Sequence, residues 1–252
     1  MQGGRNIKSV VIAVKRYDPE KGFYTREYKV EVDRYATVLD ALLKIVESQD
    51  PTLALRYSCR MGICGSCGMV INGVPRLACE TNISRLDGER ISVEPIYNFK
   101  ILRDLATDMS DFFKKHRYVK PYLIRKDEEE QFRAEKEYMQ TPEQLEDFIP
   151  FAYCIKCGLC VAACPVVAEK PWFLGPQALA QAYRWYADSR DEGGISRLEH
   201  VDTFEGVWSC EFAGSCSRVC PKGVDPAYAI QMLKMEIFRR TLLGRRGGEK
   251  HS

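Results

Sequence analysis

Two stretches of this 252-residue chain close on the same phrase: Cys154, Cys157, Cys160 and Cys164-Pro165, then Cys210, Cys216 and Cys220-Pro221. Laid over one another they match position for position, except that Ala213 stands where the first stretch has Cys157. A C-x2-C-x2-C-x3-C-P run holds iron–sulfur clusters, with the last cysteine of each run serving the other cluster. By that rule Cys154, Cys157, Cys160 and Cys220 form a complete 4Fe-4S set. Cys164, Cys210 and Cys216 remain, with an alanine at the fourth corner, and this predicts a 3Fe-4S cluster. Glu211, Ser215 or water are the oxygen ligands that could instead complete a cube there.

The other four cysteines lie upstream. Cys59, Cys64 and Cys67 follow C-x4-C-x2-C, the spacing that opens a 2Fe-2S site, and Cys79 supplies the fourth thiolate. These three sets use all eleven cysteines. Disulfides fit poorly, because the count is odd and no signal peptide is expected before the strand-like segment that follows Met1. Structural zinc is the more serious alternative, since paired C-x2-C knuckles also bind it. The repeated run closed by Cys-Pro favours clusters, and His116, His200 and His251 stand away from every cysteine motif. So many thiolates call for a reducing compartment, and the simplest expectation is the bacterial or archaeal cytoplasm.

Elements must hold these loops in place. Ile7–Tyr17 and Tyr24–Val32 flank the turn signal Asp18-Pro19-Glu20-Lys21-Gly22 and predict a hairpin. Thr37 reads as the N-cap of a helix with Leu39, Leu42, Leu43 and Val46 on its apolar face, stopped at Asp50-Pro51. Short strands follow near 68–71 and 91–94. That order describes a β-grasp of the plant-type ferredoxin kind. Charge accumulates between about Arg103 and Gln140 and predicts a solvated connector. Thr141-Pro142-Glu143-Gln144 is a capping box with proline at the first helical position. Gly175-Pro176 opens a helix to about Asp188. Asp225-Pro226 opens another, whose apolar side is Ile230, Leu233, Ile237 and Phe238, and Arg239–Ser252 reads as a frayed basic tail that could lie near an anionic surface. The expected fold class is α+β: residues 1–105 a β-grasp 2Fe-2S domain, 106–140 a connector, and 141–252 an α-helical, bacterial-ferredoxin-like domain for two cubane-type clusters.

Composition sets outer bounds. Hydrophobic residues make up 45% and charged residues 29%, normal for a globular protein, and no apolar run reaches the length of a membrane span. A net charge of +2 gives no pointer to nucleic acid. There is no G-x-G-x-x-G fingerprint and no persuasive Ser/His/Asp or paired-carboxylate constellation, so no catalytic residue is assigned. Three different clusters without a two-electron site describe a wire between partners.

The motif wording is specific. Arg56-Tyr57-Ser58-Cys59-Arg60-Met61-Gly62-Ile63-Cys64-Gly65-Ser66-Cys67-Gly68 and Cys154-Ile155-Lys156-Cys157-Gly158-Leu159-Cys160-Val161-Ala162-Ala163-Cys164-Pro165 are two phrases of it. With Gly206-Val207-Trp208-Ser209-Cys210 and Cys220-Pro221-Lys222-Gly223-Val224-Asp225-Pro226, they closely resemble the iron–sulfur subunit of succinate dehydrogenase and fumarate reductase over nearly the whole chain. The resemblance implies an oxidoreductase subunit that bridges an FAD-containing flavoprotein, where succinate and fumarate interconvert, and a membrane anchor holding quinone. Electrons would pass from flavin to 2Fe-2S, 4Fe-4S, 3Fe-4S and quinone, or in reverse, at the cytoplasmic face of the cell membrane. It also implies a quinone-facing patch of Pro165, Phe212, Gln231 and Lys234, the last two one helical turn apart; a solvated helix surface is the alternative for that pair. A Trp soon after the Cys-Pro and a His after the next Cys, frequent in dehydrogenase-type members, are replaced by Val167–Lys170 and Glu211, which leans toward the fumarate reductase side. Direction itself is set by potentials and quinone type. A free-standing multi-cluster ferredoxin and a related reductase with another acceptor share the same wire.

Overall fold

The computed structural model describes residues 7–133 and 137–247, which divide into two compact units. The first holds the chain through residue 109 together with Ile155–Ala163; the second holds Ser110–Cys154 and the chain from Cys164 onward.

In the first unit β1 (Ile7–Asp18) and β2 (Gly22–Asp33) pair antiparallel through their full length around the expected turn. Helix α1 (Val38–Ser48) begins at Thr37, whose hydroxyl accepts from the Asp40 amide while the Asp40 carboxylate accepts from the Thr37 amide. Strands β3 (Gly68–Ile71), β4 (Val74–Leu77) and β5 (Arg90–Glu94) complete a five-stranded sheet in the order β2-β1-β5-β3-β4. Only β1 and β5 run parallel. A second small ladder joins β6 (Lys100–Arg103) to β7 (Ala106–Asp108). The core lies between sheet and helix, with Ile12, Val14, Ile91 and Val93 from the strands and Leu42 and Ile45 from α1 all fully buried.

Alternation along β1 places Val10, Ile12, Val14 and Arg16 on that same inward face. A buried guanidinium is tolerated only with partners. Asp104 accepts from Arg16 Nε and Nη2, both at 2.9 Å, and Asp50 Oδ2 accepts from Arg16 Nη1 at 2.6 Å. The Tyr28 hydroxyl donates to Asp50 at 2.6 Å.

The second unit is helical. In chain order the helices after α1 are α2 (Ser110–Tyr118), α3 (Glu128–Phe132), α4 (Pro142–Glu146), α5 (Ile149–Ala152), α6 (Leu159–Ala162), α7 (Pro165–Glu169), α8 (Gly175–Tyr186), α9 (Gly194–Val201), α10 (Ser215–Arg218) and α11 (Pro226–Gly247). Of these only α6 lies in the first unit. Helix α8 is the hub: every residue from Gly175 to Tyr183 is buried, and α2, α5, α9 and α11 pack against it. Arg197 is buried too, donating to Asp191 and to the carbonyls of Val119, Lys120 and Tyr122.

Three expectations need correcting. The charged stretch after Arg103 is more than a solvated connector, because α2 lies within it and buries Phe112 and His116. Phe238 is 61% exposed: at 100° per residue it falls off the stripe formed by Ile230, Leu233 and Ile237. The basic tail does not fray at Arg239, since α11 continues to Gly247; residues 248–252 lie outside the described residues.

Candidate metal centres

The loop between α1 and β3 folds its backbone toward sulfur. The amides of Met61, Ile63 and Cys64 donate to Cys59 Sγ at 3.4, 3.3 and 3.3 Å. The Gly62 amide donates to Cys79 Sγ at 3.3 Å, and the Cys59 amide to Cys64 Sγ at 3.5 Å. Arg60, Gly62 and Gly65 have φ of 58°, 71° and 73°, and such left-handed positions turn successive N–H groups toward one concavity. Five amides aimed at three thiol sulfurs make an anion cradle, which is the surrounding that a thiolate-bound, negatively charged cluster requires. The donor set therefore fits a 2Fe-2S group.

The environments of these thiols differ. Burial pushes Cys67 up to about 12. Burial acts upward on Cys64 as well, but hydrogen bonds from the Cys59 and Ser66 amides outweigh it and hold that thiol down at about 6. Around the loop Tyr57, Met61 and Ile63 are exposed apolar side chains.

The next set divides between the two units. Cys157 and Cys160 belong to the first unit, around the left-handed residues Lys156 and Gly158 and the start of α6. A Cβ added at Gly65 would stand 2.8 Å from both Cα and Cβ of Cys157, so the two cysteine-bearing loops of this unit touch backbone to backbone. Cys154 and Cys220 belong to the second unit, where Cys154 follows α5 and Cys220 follows α10. There Gln177 Nε2, on α8, is 4.0 Å from Cys154 Sγ.

The third set lies wholly in the second unit. Cys164, Cys210 and Cys216 all line one small cleft, open at its mouth, and Pro165, Phe212 and Ala213 share its wall. Burial raises the Cys164 thiol and pushes Cys216 up to about 11. Where the other run carries a cysteine, this wall offers the methyl group of Ala213 between the left-handed Phe212 and Gly214. Ser215 also lines the cleft, its hydroxyl accepting from Arg218 at 3.1 Å, while Glu211 is ion-paired with Lys170 at 3.1 Å.

The two helical residues resemble no free surface. Lys234 donates to the Cys210 carbonyl at 2.8 Å and lies 5.9 Å from the centre of the Trp208 ring. Gln231 keeps its Nε2 buried without a hydrogen-bond partner. Phe212, by contrast, is 60% exposed at the cleft. The sequence reading missed Gln177, which lies off the motif; a glutamine among Ala178, Leu179 and Ala180 on a core-facing turn was the available signal. Among the described residues no three of His, Cys, Asp and Glu converge as they would around a single metal ion.

Comparison with known proteins extends these observations. Residues 11–114 match a family model described as a 2Fe-2S iron-sulfur cluster binding domain, and residues 150–224 one described as a 4Fe-4S dicluster domain. The fumarate reductase iron-sulfur subunit of Mycobacterium tuberculosis is 47% identical over 228 residues, covering 90% of this chain and 92% of that one. The subunit of the same name from Escherichia coli O6:H1 is 44% identical over 240 residues, covering 94% and 96%. In the solved Mycobacterium smegmatis Sdh1 complex in the apo form, one chain superposes with a TM-score of 0.83 at 30% identity, covering 92% of this chain and 96% of that one.

Proposed function

Because this chain belongs to the family of fumarate reductase and succinate dehydrogenase iron–sulfur subunits, and is thus an electron-transfer subunit of an oxidoreductase complex, we propose that it connects a flavoprotein partner to membrane quinone through three clusters in series. In this reading Cys59, Cys64, Cys67 and Cys79 hold 2Fe-2S; Cys154, Cys157, Cys160 and Cys220 hold 4Fe-4S; and Cys164, Cys210 and Cys216 hold 3Fe-4S. When bound, the clusters supply one-electron redox chemistry at potentials set by cluster type, hydrogen bonding and exposure.

The chain's own residues do the rest. The amides of Gly62, Ile63 and Cys64 spread the charge of the first thiolates over the backbone, which favours the reduced state. Ala213 withholds a ligand from the last site. Lys234 braces the Cys210 loop through its carbonyl. Pro165 and Phe212, which line the cleft, are with Gln231 and Lys234 of α11 the proposed quinone-facing residues. Among the described residues no helix is long and apolar enough to cross a membrane, so in this reading an anchor subunit carries the quinone and the chain binds peripherally at the cytoplasmic face.

One observation carries the reading: three cysteines and an alanine, not four cysteines, around the cleft beside α11. The test is electron paramagnetic resonance on the native complex. The oxidised protein should give the signal of a three-iron centre, and Ala213→Cys should abolish it by admitting a fourth iron. Iron far below the roughly nine atoms that one cluster of each kind contains would overturn the assignment.

A further inference from the structure

Gln177 is 2% exposed in the first turn of α8, between the buried Pro176 and Ala178 and one turn before Gln181, whose own Nε2 is taken by the Phe151 carbonyl. An amide in such a place is costly unless partnered, and packing alone would favour a leucine or methionine. Its Nε2 faces two groups, His116 Nδ1 at 3.1 Å and Cys154 Sγ at 4.0 Å, whereas its Oε1 is buried without a hydrogen-bond partner. His116 comes from α2, the helix that packs against α8, and is itself only 9% exposed.

We propose that Gln177 raises the reduction potential of the 4Fe-4S centre by donating one amide hydrogen to the Cys154 sulfur, in an orientation fixed by His116. The inference rests on Cys154 being a ligand of that centre. A cluster-bound thiolate only accepts, so the N–H2 edge of the amide, not its carbonyl, is the edge matched to it. The second amide hydrogen then goes to His116 Nδ1, which fixes the imidazole tautomer with its proton on Nε2. Both hydrogens are used, and the stranded Oε1 is the cost of that orientation. The contact to sulfur is long, but it acts on a charge in a dry interior, where electrostatic interactions are strong. Reduction adds negative charge at the sulfurs, so a donor there stabilises the reduced state. His116 serves here as a positioning residue.

The test is a redox titration of the native complex, followed by electron paramagnetic resonance of all three centres. Gln177→Met keeps volume and flexibility while removing the donor, and Gln177→Ala removes it without new bulk. Both should move the 4Fe-4S midpoint to more negative potential and leave the 2Fe-2S and 3Fe-4S midpoints in place. His116→Leu, which frees the amide to rotate, should give a smaller shift of the same sign. An unmoved 4Fe-4S midpoint, a common shift of all three centres, or loss of the cluster in both Gln177 variants would each overturn the proposal. A wild-type complex without any reduced 4Fe-4S signal would instead sink the ligand assignment, and this inference with it.

Discussion

At the scale of single residues, the cysteines and Arg16 behave oppositely toward a reader of the sequence. Cysteines within each run lie only a few residues apart, so their spacing is visible in the sequence and Ala213 stands out as a gap. Arg16 sends no such signal, because its partners Asp50 and Asp104 lie 34 and 88 residues away. Removing it would leave two buried carboxylates short of their counter-charge, which costs about 3–5 kcal/mol in comparable sites. We therefore expect Arg16→Met to lower stability by that order in thermal or denaturant unfolding. The same cluster sets a pH window. Burial raises the Asp50 carboxyl, but hydrogen bonds from Thr52 and Tyr28 and the charge of Arg16 outweigh it, so its folded-state pKa lies well below the usual range. Its stabilisation is present above the ordinary carboxylate pKa and is lost as pH falls through the depressed value. Tyr28 works at the other end, its phenol pushed up to about 12 by burial and the Asp50 hydrogen bond. That stabilisation is complete below roughly pH 10 and is lost as pH rises toward 12. Unfolding temperature should fall at both extremes, and Tyr28→Phe should flatten the alkaline limb; an unchanged limb would refute the role given to the phenol.

Among elements, the legible ones were those with many residues voting together. The β1–β2 hairpin and α1 carry long periodic patterns and clear punctuation, and the structure places them within a residue or two of expectation. Strand β4 was illegible for a reason: Pro75 argues against a strand, yet β4 is the sheet edge, where proline is tolerated. Helix α2 was hidden because only Phe112 and His116 of its nine residues are buried, too few to show a period against its charge. The left-handed loop positions also belong to this scale. At Gly65 φ is +73°, and an added Cβ would stand 2.8 Å from the backbone of Cys157. Gly65→Ala should thus combine backbone strain with displacement of the Cys157 loop, at a cost of roughly 1–3 kcal/mol. Weaker iron retention at both loops, measured as iron content after gel filtration, is the expected outcome; full retention with unchanged stability would show that the close approach is dispensable.

For the whole molecule, composition separated little, and the cysteine account did most of the work of placing function. The sequence suggested two modules on either side of a linker. The structure instead gives the first unit a detached share of the chain, Ile155–Ala163, taken from inside the later half. Leu159 is fully buried there, the Val161 carbonyl accepts from the Asn98 side-chain Nδ2 at 2.8 Å, and Gly158 lies where an added Cβ would meet Phe99 at 2.9 Å. Synthesis runs from the N-terminus, so on the ribosome the sheet and its thiol loop emerge before the segment that packs on them, which begins only at Ile155, well beyond β7. Until then Gly65, Gly68 and Phe99 lack their cover. The early half of this polypeptide is a lid-less vessel during its own birth, and any maturation machinery that loads iron into it meets an incomplete wall before that segment has been made.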